Sequence, residues 1–361
     1  MHYETEKISK DIVENKLALT CQRIKDIKNR YIDEVCTIGI IDIENWEWAQ
    51  GVGLYGLFKS YLRSKKEEDL NWIINWIEKN IKNGLPSRNV NTTSPLLTVS
   101  SVAQTTGNKK YMQICSDWAK WIMSDLPRTE YNGFQHFTTD GLQENELWDD
   151  TLFMAVLFLA KMGVIEENKE YLDECERQFL IHANYLMDKK TGLWYHGWTF
   201  NEYNHFAKAL WGRGNCWVTI FIPDYIELTG ISCGSKHFMA DTLVAQVDAL
   251  AQYQHESGMW HTLINDSTSY LEASATAGFA YGILKSVRLG IISDKYYEVG
   301  LKGAKAVLEN IDSNGTVKSV SYGTGMGHTL QHYKEIPICP MPYGQALAIL
   351  LLDELLHHTK G

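Results

Sequence analysis

Residues 148–161 read WDDTLFMAVLFLAK, in which two carboxylates precede ten residues without a charge. A helix over this run has apolar side chains on nearly every face, which predicts that it is buried on all sides. The next segment differs, because its apolar residues return only at helical spacing and polar residues stand between them. Those apolar positions are Leu172, Cys175, Phe179, Ala183 and Leu186. A wholly buried helix is therefore followed by a half-buried one.

The same alternation runs through the whole chain and predicts the fold. Segments that are apolar nearly all round begin about 46 to 71 residues apart, which indicates a repeated helix pair. Six inner and six outer helices that close into a ring form an (α/α)6 barrel, so we predict an all-α fold and a single domain over residues 1–361. The buried segments are 46–62, 92–105, 148–161, 215–228, 270–287 and 341–356, and the amphipathic ones are 8–29, 67–82, 109–124, 167–187, 236–254 and 294–310.

The links between helices differ in length, and this difference predicts where a site lies. Links that lead from an outer to an inner helix are long, about 124–147, 188–214, 255–269 and 311–340. Because the helices alternate in direction, these links share one rim, and long loops on a rigid scaffold commonly carry function. Glycines 133, 192, 258 and 315 predict left-handed C′ positions in turns after four outer helices. The loops are rich in Trp and His, which indicates an aromatic cup suited to sugars.

Composition excludes several classes of protein. Forty-four acidic and 34 basic residues give a net charge of −10 without a basic block, which argues against a nucleic-acid surface. The longest apolar stretch stops at Lys161, about half of what a membrane span needs, and residues 1–7 carry no secretory signal. Seven scattered cysteines without a CxxC motif are typical of free thiols in a reducing compartment. We therefore predict a cytoplasmic protein without membrane or nucleic-acid partners, and its oligomeric state stays open.

Asp149 and Asp150 are the first candidates for chemistry, because they open an apolar inner helix on the loop-bearing rim. Neighbouring helical positions differ by about 100°, so we expect only one of the two to face the cup. Capping of the helix N-terminus is the structural alternative, above all for Asp149. Aromatic surroundings would raise the pKa of a carboxyl and suit a proton donor, while the helix N-terminus acts in the opposite direction.

The segment WGRGN at residues 211–215 is the second candidate. Glycines on both sides of Arg213 let the backbone approach a ligand, and the guanidinium offers a planar fork that matches a carboxylate. Pairing of Arg213 with a structural Asp or Glu is the alternative. The loop histidines 136, 196, 261 and 328 lack metal-ligand spacing. We therefore expect them either to bond sugar hydroxyls or to support the structure of the loops, and we predict no metal and no cofactor.

Three segments in order, WDDTLFM at 148–154, WGRGN at 211–215 and SYGTG at 321–325, resemble glycoside hydrolase family 105. These are the unsaturated rhamnogalacturonyl hydrolases, related to the unsaturated glucuronyl hydrolases of family 88, and the resemblance covers nearly the whole chain. It implies an (α/α)6 barrel and a hydrolase that removes a 4,5-unsaturated uronic acid from the non-reducing end of lyase-generated oligosaccharides, above all rhamnogalacturonan-type disaccharides. In the implied reaction C4 of the vinyl ether is protonated, water adds at C5, and the hemiketal collapses.

Carried over by position, the resemblance makes Asp150 the catalytic acid that also activates the water, which departs from the usual two-carboxylate scheme. It makes Arg213 and Trp211 the residues that hold the uronate. Asn91 stands where family members often carry a second aspartate, and Cys216 stands where glycine is common. The candidate substrate-binding residues are Trp46, Trp48, Asn91, His136, Asp149, His196, Trp211, Arg213 and Trp217.

Two further functions stay open on the sequence. A sugar epimerase of the N-acylglucosamine type shares the barrel and would need a histidine pair for proton abstraction and return, a role that His136 and His196 could fill. A carbohydrate-binding protein without catalysis is the other alternative, and Asn91 in place of an aspartate is the hint for it.

Overall fold

The computed structural model describes residues 8–27 and 42–359, and most of them lie in two concentric rings of helices. The outer helices are α1 Lys10–Asp26, α3 Glu67–Asn83, α6 Lys109–Ser124, α8 Lys169–Leu186, α10 Gly234–Tyr253 and α12 Tyr297–Asn310. The inner helices are α2 Trp48–Ser64, α5 Leu96–Thr106, α7 Leu157–Ile165, α9 Gly212–Thr229, α11 Ala273–Arg288 and α14 Pro342–His358. The predicted all-α fold and (α/α)6 barrel are confirmed, and residues 28–29 of the first predicted helix lie outside the described residues.

Burial explains why the two rings differ in sequence. The inner helix α11 is buried at every residue from Ala273 to Ser286, so each of its faces meets another part of the protein. The outer helix α3 buries a stripe that includes Leu70, Ile73 and Ile77, while its Glu and Lys side chains are exposed. Apolar burial at roughly 25 cal/mol per Å² therefore acts on the whole surface of an inner helix but on one face of an outer helix.

The ring closes where the last inner helix meets the first helices of the chain. Helix α14 packs against both α1 and α2. The turn after α12 seals the same seam, because a Cβ atom on Gly315 would lie 2.4 Å from the backbone of Leu19 in α1. Only glycine permits this approach, so the turn and the closure depend on the same residue.

The predicted glycine turns are present, but their position is corrected. Gly192, Gly258 and Gly315 have φ angles of +80°, +91° and +85°, as a left-handed turn requires. At the first of the four turns Asn132 has the positive φ angle, and Gly133 does not. All four turns lie several residues beyond the helix ends, so the predicted C′ positions are wrong.

The inner helix predicted over residues 148–161 begins irregularly. Residues Leu152–Val156 form one turn of π-helix that leads into α7. Strand β1, Glu146–Trp148, precedes this turn and pairs antiparallel with β2, Gly197–Thr199. A π turn inside a helix is frequently found at a functional site. The remaining short elements of the described chain are α4 Val90–Thr93, β3 Trp260–His261, β4 Leu271–Glu272, the 3₁₀ turn Asp294–Tyr296 and α13 Leu330–Lys334.

Cysteine pairing and helix hydropathy also bear on the sequence predictions. Cys339 is disulfide-bonded, so the prediction of seven free thiols is wrong. Cys36 lies outside the described residues, and the free thiols are Cys21, Cys115, Cys175, Cys216 and Cys233. Within residues 8–27 and 42–359, no helix combines the length and the apolar character that a bilayer crossing needs.

Candidate active site

A cavity of about 280 Å³ lies among the long links between outer and inner helices. Its wall combines aromatic rings with polar side chains, which is the composition predicted for a sugar site. Of the candidate residues, it is lined by Trp48, Asn91, His136, Asp150, Trp211 and Arg213. The other lining residues are Thr138, Asp140, Gln143, Trp148, Met154, Tyr322, Gly323, Thr324 and Gly325.

Strand pairing positions the two neighbouring carboxyls beside this cavity. Trp148 lies opposite Gly197 in the β1–β2 pair, and the amide of Asp149 donates to the carbonyl of His196 at 3.1 Å. The chain then enters the first turn of the inner helix, where successive side chains point in different directions. Asp150 faces the cavity with 17% of its side chain exposed, whereas Asp149 is completely buried.

His196 connects Asp150 to a tyrosine at the back of the site. Its Nε2 atom lies 3.3 Å from Oδ2 of Asp150, and its Nδ1 atom lies 2.6 Å from the hydroxyl of Tyr333 in α13. The same hydroxyl accepts a bond from the amide of Gly327 at 3.1 Å, so its own proton can go to Nδ1. We assign the ring proton to Nε2 on this network, which turns an N–H toward Asp150.

The two neighbouring carboxyls differ in acidity. Burial raises the pKa of Asp150, but the adjacent His196 and the more distant His136 outweigh it and hold the pKa at about 2. For Asp149, burial and then the charge of Asp150 raise the pKa well above its ordinary value of 3.8. Among the described residues, neither carboxyl oxygen of Asp149 meets a well-aligned donor, and the nearby amides of Asp149 and Asp150 only partly oppose the rise in its pKa. The raised pKa therefore belongs to the hidden carboxyl and not to the one that faces the cavity.

Gly214 makes the buried position of Asp149 possible. A Cβ atom on Gly214, in the first turn of α9, would lie 2.4 Å from Oδ2 of Asp149 and 2.7 Å from Oδ1. Any other side chain would need the space that this carboxyl occupies. The second glycine of the WGRGN segment therefore serves Asp149, and the predicted approach of the backbone to a ligand is not its role.

A neutral histidine and a tryptophan form one wall of the cavity. The rings of His136 and Trp148 are stacked, with centroids 4.2 Å apart and an interplanar angle of 11°. Nδ1 of His136 lies 2.8 Å from the hydroxyl of Thr151. Burial is the main cause that lowers the pKa of His136 to about 3, so the ring is uncharged at neutral pH. This side chain can exchange hydrogen bonds with hydroxyl groups without adding a charge.

Arg213 is a buried cation that the protein holds through its backbone. The guanidinium donates to the carbonyl of Ser321 at 2.9 Å, to the hydroxyl of Ser321, and to the carbonyl of Tyr322 at 2.8 Å. It also lies over the rings of Trp211, at 4.6 Å, and Tyr343, at 4.9 Å. No ion pair between described residues includes Arg213. Its positive charge therefore stays available to an anion, although both terminal nitrogens of the guanidinium already donate hydrogen bonds to Ser321 or Tyr322.

Two tryptophans predicted to bind substrate lie elsewhere. Trp46 belongs to the core, where it stacks on Trp76 with centroids 5.3 Å apart and donates to the carbonyl of Thr92 at 2.8 Å. Trp217 is completely buried behind the wall and meets the ring of Trp48 edge-on. Neither ring lines the cavity, because apolar rings on inner helices pack into the core unless a loop opens beside them.

Three other parts of the site were not among the residues predicted from the sequence. Trp148 stands inside the WDDTLFM segment, so the motif itself could have indicated it. Tyr322 and its neighbours to Gly325 also line the cavity, and they stand in the SYGTG segment, which carries the family resemblance but was not assigned to the substrate site. Tyr333 sits in a five-residue helix within the longest link, where no periodicity can reveal it.

The carboxyls and the histidine form a cluster that invites comparison with metal sites. One donor atom from each of Asp149, Asp150 and His196 lies within 4.8 Å of the others. A resident ion commonly needs three or four donors and an open position. Here Asp149 is sealed from the cavity and the third donor already approaches Asp150. We therefore interpret the cluster as a site of proton chemistry, and the absence of a metal stays a prediction.

The barrel, with a sugar-sized aromatic cavity beside one partly exposed carboxylate, has the features of a glycoside hydrolase built on the (α/α)6 fold. Comparison with known sequences agrees, because the profile of Glycosyl Hydrolase Family 88 matches residues 23–359. The chain belongs to this family, and it is an enzyme of the glycoside hydrolase class. The resemblance of its motifs to families 105 and 88 is thereby confirmed.

Individual relatives extend over nearly the whole chain. The unsaturated rhamnogalacturonyl hydrolase YesR of Bacillus subtilis (strain 168) is 31% identical over 318 residues, which cover 87% of this chain and 91% of that protein. A solved structure described as a possible member of the GH105 family, from Salmonella enterica, is 40% identical with a TM-score of 0.94 and covers 99% of this chain and 97% of its own. The unsaturated glucuronyl hydrolase of Bacillus sp. GL1 is 14% identical with a TM-score of 0.74, covers 95% of this chain and 96% of its own, and shares the fold.

Proposed function

We propose that the protein removes a 4,5-unsaturated uronic acid from the non-reducing end of short oligosaccharides, with an unsaturated rhamnogalacturonan-type disaccharide as the preferred substrate. The observation that carries this proposal is that Asp150 and Arg213 both line one aromatic cavity. A carboxyl group is placed to exchange protons with the ligand, and a buried cation is placed to attract the uronate. The name of the 31% identical Bacillus subtilis relative supports the choice of substrate.

Asp150 acts on the double bond in this proposal. Its proton goes to C4, the π electrons of the C4–C5 bond form the new C4–H bond, and the positive charge at C5 is shared with the ring oxygen. Water then adds at C5 and returns its proton to Asp150. The hemiketal opens, the hemiacetal at C1 collapses, and the leaving sugar departs. One carboxyl is sufficient because the double bond, and not the glycosidic oxygen, receives the proton.

Arg213 supplies the local field that the substrate needs. The protein has a net charge of −10, so an anionic sugar must be attracted by a local positive charge. Arg213 acts through this charge, and it also holds the loop that begins at Ser321 and Tyr322 against the cavity. The backbone of this loop and the neutral His136 then remain for hydrogen bonds to the sugar.

The geometry favours hydrolysis over epimerisation. An epimerase would need His136 and His196 to face the sugar from two sides. Only His136 lines the cavity, while His196 has its ring nitrogens beside Asp150 and the hydroxyl of Tyr333. Asn91 also lines the cavity, where its amide can bind a hydroxyl group, so the missing aspartate is compatible with a one-carboxylate reaction.

We also propose that the enzyme works in the cytoplasm. Five free thiols among the described residues support a reducing compartment, whereas the disulfide of Cys339 is evidence against it. Cell fractionation with a tagged full-length chain tests the location. Recovery with a periplasmic or extracellular marker would refute it.

The test of the proposed activity uses the ultraviolet absorbance of the unsaturated uronate. Wild-type protein should remove the absorbance of a rhamnogalacturonan-type disaccharide, and Asp150→Asn should lower kcat by about 10²–10⁴-fold. Glucuronan-type and ulvan-type disaccharides serve as comparison substrates. Unchanged absorbance with all three would contradict the proposal, an isomer formed without loss of absorbance would favour the epimerase, and calorimetric binding without turnover would favour a binding protein.

A further inference from the structure

Asp149 is the buried ionisable group that the proposed reaction does not yet use. Its side chain is completely excluded from solvent, and neither carboxyl oxygen meets a well-aligned donor among the described residues, although the nearby amides of Asp149 and Asp150 act to lower its pKa. A carboxylate in that state lacks water and well-aligned hydrogen-bond donors, which costs several kcal/mol in general. Such a group keeps a proton instead, and a neutral carboxylic acid needs an acceptor for its own O–H.

Asp150 is the acceptor that the geometry offers. A carboxyl oxygen of Asp149 and one of Asp150 lie within 4.8 Å of each other, beside a ring nitrogen of His196. Oδ2 of Asp150 likewise has no partner of good hydrogen-bonding geometry among the described residues. Two carboxyl groups at such a distance do not both ionise readily, because like charges repel strongly where water is excluded.

We propose that Asp149 is a positioning residue that holds a proton against Asp150, so that the two carboxyl groups share one proton and Asp150 can deliver it to the substrate. This inference rests on the proposed function for its role in turnover, but the shared proton itself is a property of the free enzyme. It also resolves a conflict in the site, since an Asp150 that is ionised at rest needs a source for the proton that goes to C4.

Every proton that leaves the two carboxyl groups is returned to them within one turnover. At rest Asp149 carries the proton and Asp150 is ionised. The proton moves from Asp149 to Asp150, the Asp150 O–H bond breaks as the C4–H bond forms, and water that adds at C5 gives its proton to Asp150. Return of that proton to Asp149 restores the resting state. No oxidant, reductant or additional acid is required.

The surroundings of Asp149 make the transient loss of its proton feasible. Its carboxyl lies against Gly214 in the first turn of α9, and a helix N-terminus carries about half a positive charge. The titratable groups that interact with the pair are His196 and His136 from the loops, Cys216 from α9 and Tyr333 from α13, and the charged Arg213 lines the same cavity as Asp150. Burial raises the pKa values of the Cys216 thiol and the Tyr333 hydroxyl, so neither competes as the acid.

Infrared spectroscopy of the free enzyme tests the shared proton without any substrate. Wild-type protein should show the carbonyl band of a protonated carboxylic acid at pH 7. Asp149→Asn should remove this band, whereas Asp150→Asn should keep it. Other carboxyls with raised pKa values, such as Glu47 and Glu146, make the difference spectrum between variants the decisive quantity.

Kinetics supply the second readout. Asp149→Asn should lower kcat by about 10²-fold or more, while KM changes by less than about twofold, because the residue does not line the cavity. Absence of the band in wild-type protein, a difference spectrum in which Asp149→Asn loses no carbonyl intensity, or an unchanged kcat in that variant would each overturn the inference. A stoichiometric metal whose removal abolishes activity would also overturn it and make the cluster a ligand set.

The two proposals fail separately. If no disaccharide is consumed but the band behaves as expected, the shared proton stands and the proposed substrate is wrong. If the absorbance assay succeeds and the band is absent, the reaction stands and Asp149 has no part in it. Should Asp149→Asn not fold, the frequency of the band decides: it should shift between wild-type protein and Asp150→Asn, because the acceptor of the Asp149 O–H changes, and an unshifted band would overturn the inference.

Discussion

Replacement of Gly214 by alanine should disturb the site more than the same change two residues earlier. The new Cβ atom would lie 2.4 Å, 2.7 Å and 2.9 Å from three carboxyl-group atoms of Asp149. Asp149 is completely buried, so it cannot move away freely. Overpacking of this kind costs about 1–3 kcal/mol. The gain in helix propensity from glycine to alanine, about 1 kcal/mol at most, offsets only part of it.

Gly212 is the matched control, because it stands in the same first turn of α9. A Cβ atom there would meet the Cβ atom of Ala275 and the carbonyl of His261 at 3.2 Å, a tight contact that needs an adjustment of only a few tenths of an ångström. Gly214→Ala should therefore lower both the free energy of unfolding and kcat, while Gly212→Ala should change stability by less than about 1 kcal/mol. Urea unfolding and the absorbance assay measure the two effects. Equal stability and equal kcat in the two variants would refute the packing of Asp149 described above.

Three further predictions address other parts of the structure. Tyr333→Phe removes the hydroxyl 2.6 Å from Nδ1 of His196 and should lower kcat about tenfold with little change in KM; an unchanged kcat would show that the ring of His196 needs no such support. Lys285→Met breaks the salt bridge of the buried Asp224, about 18 Å along α9 from the cavity, and leaves this carboxyl with the hydroxyls of Tyr55 and Tyr281. It should cost about 3 kcal/mol in urea unfolding and leave KM unaltered. Burial opposes both charges of this pair, but mutual attraction lowers the pKa of Asp224 and raises that of Lys285, so the wild-type stabilisation should be lost on acidification below the ordinary pKa of 3.8. Asp149 should have the opposite pH dependence, because its raised pKa gives a stabilisation that is lost as pH rises above 3.8 toward that pKa. Asp149→Asn lacks this loss, so between about pH 4 and pH 8 its free energy of unfolding should gain on that of wild type. An equal pH dependence of the two proteins would contradict a protonated Asp149.

The fold could be predicted because hydrophobic patterning operates over whole helices. The uncharged run at residues 151–160 indicates an inner helix, and the spacing of Leu70, Ile73 and Ile77 indicates an outer one. The π turn at Leu152–Val156 could not be predicted in this way, since it changes the hydrogen-bond register without changing the apolar composition. Glycine turns were also visible, although their distance from the helix ends depends on how each turn packs on the next outer helix.

Part of the candidate site could be predicted from the sequence. Asp150 and Arg213 stand in recognisable segments and line the cavity, but the sequence does not distinguish Trp48, which lines it, from Trp46, which packs in the core. That distinction depends on a loop contact between residues far apart in the chain. The pKa values of Asp149 and Asp150 could not be predicted from the sequence either, because they depend on His196. The pairing of β1 with β2 brings this histidine next to the two carboxyls.

Two disaccharides that differ only in the C4–C5 double bond of the uronate test whether the reaction begins at that bond. Wild-type enzyme should release rhamnose from the unsaturated compound at the rate at which the absorbance disappears, and it should leave the saturated compound intact. Release of rhamnose from the saturated compound at a similar rate, or release from the unsaturated one while its absorbance persists, would contradict a reaction that begins with proton transfer to the double bond.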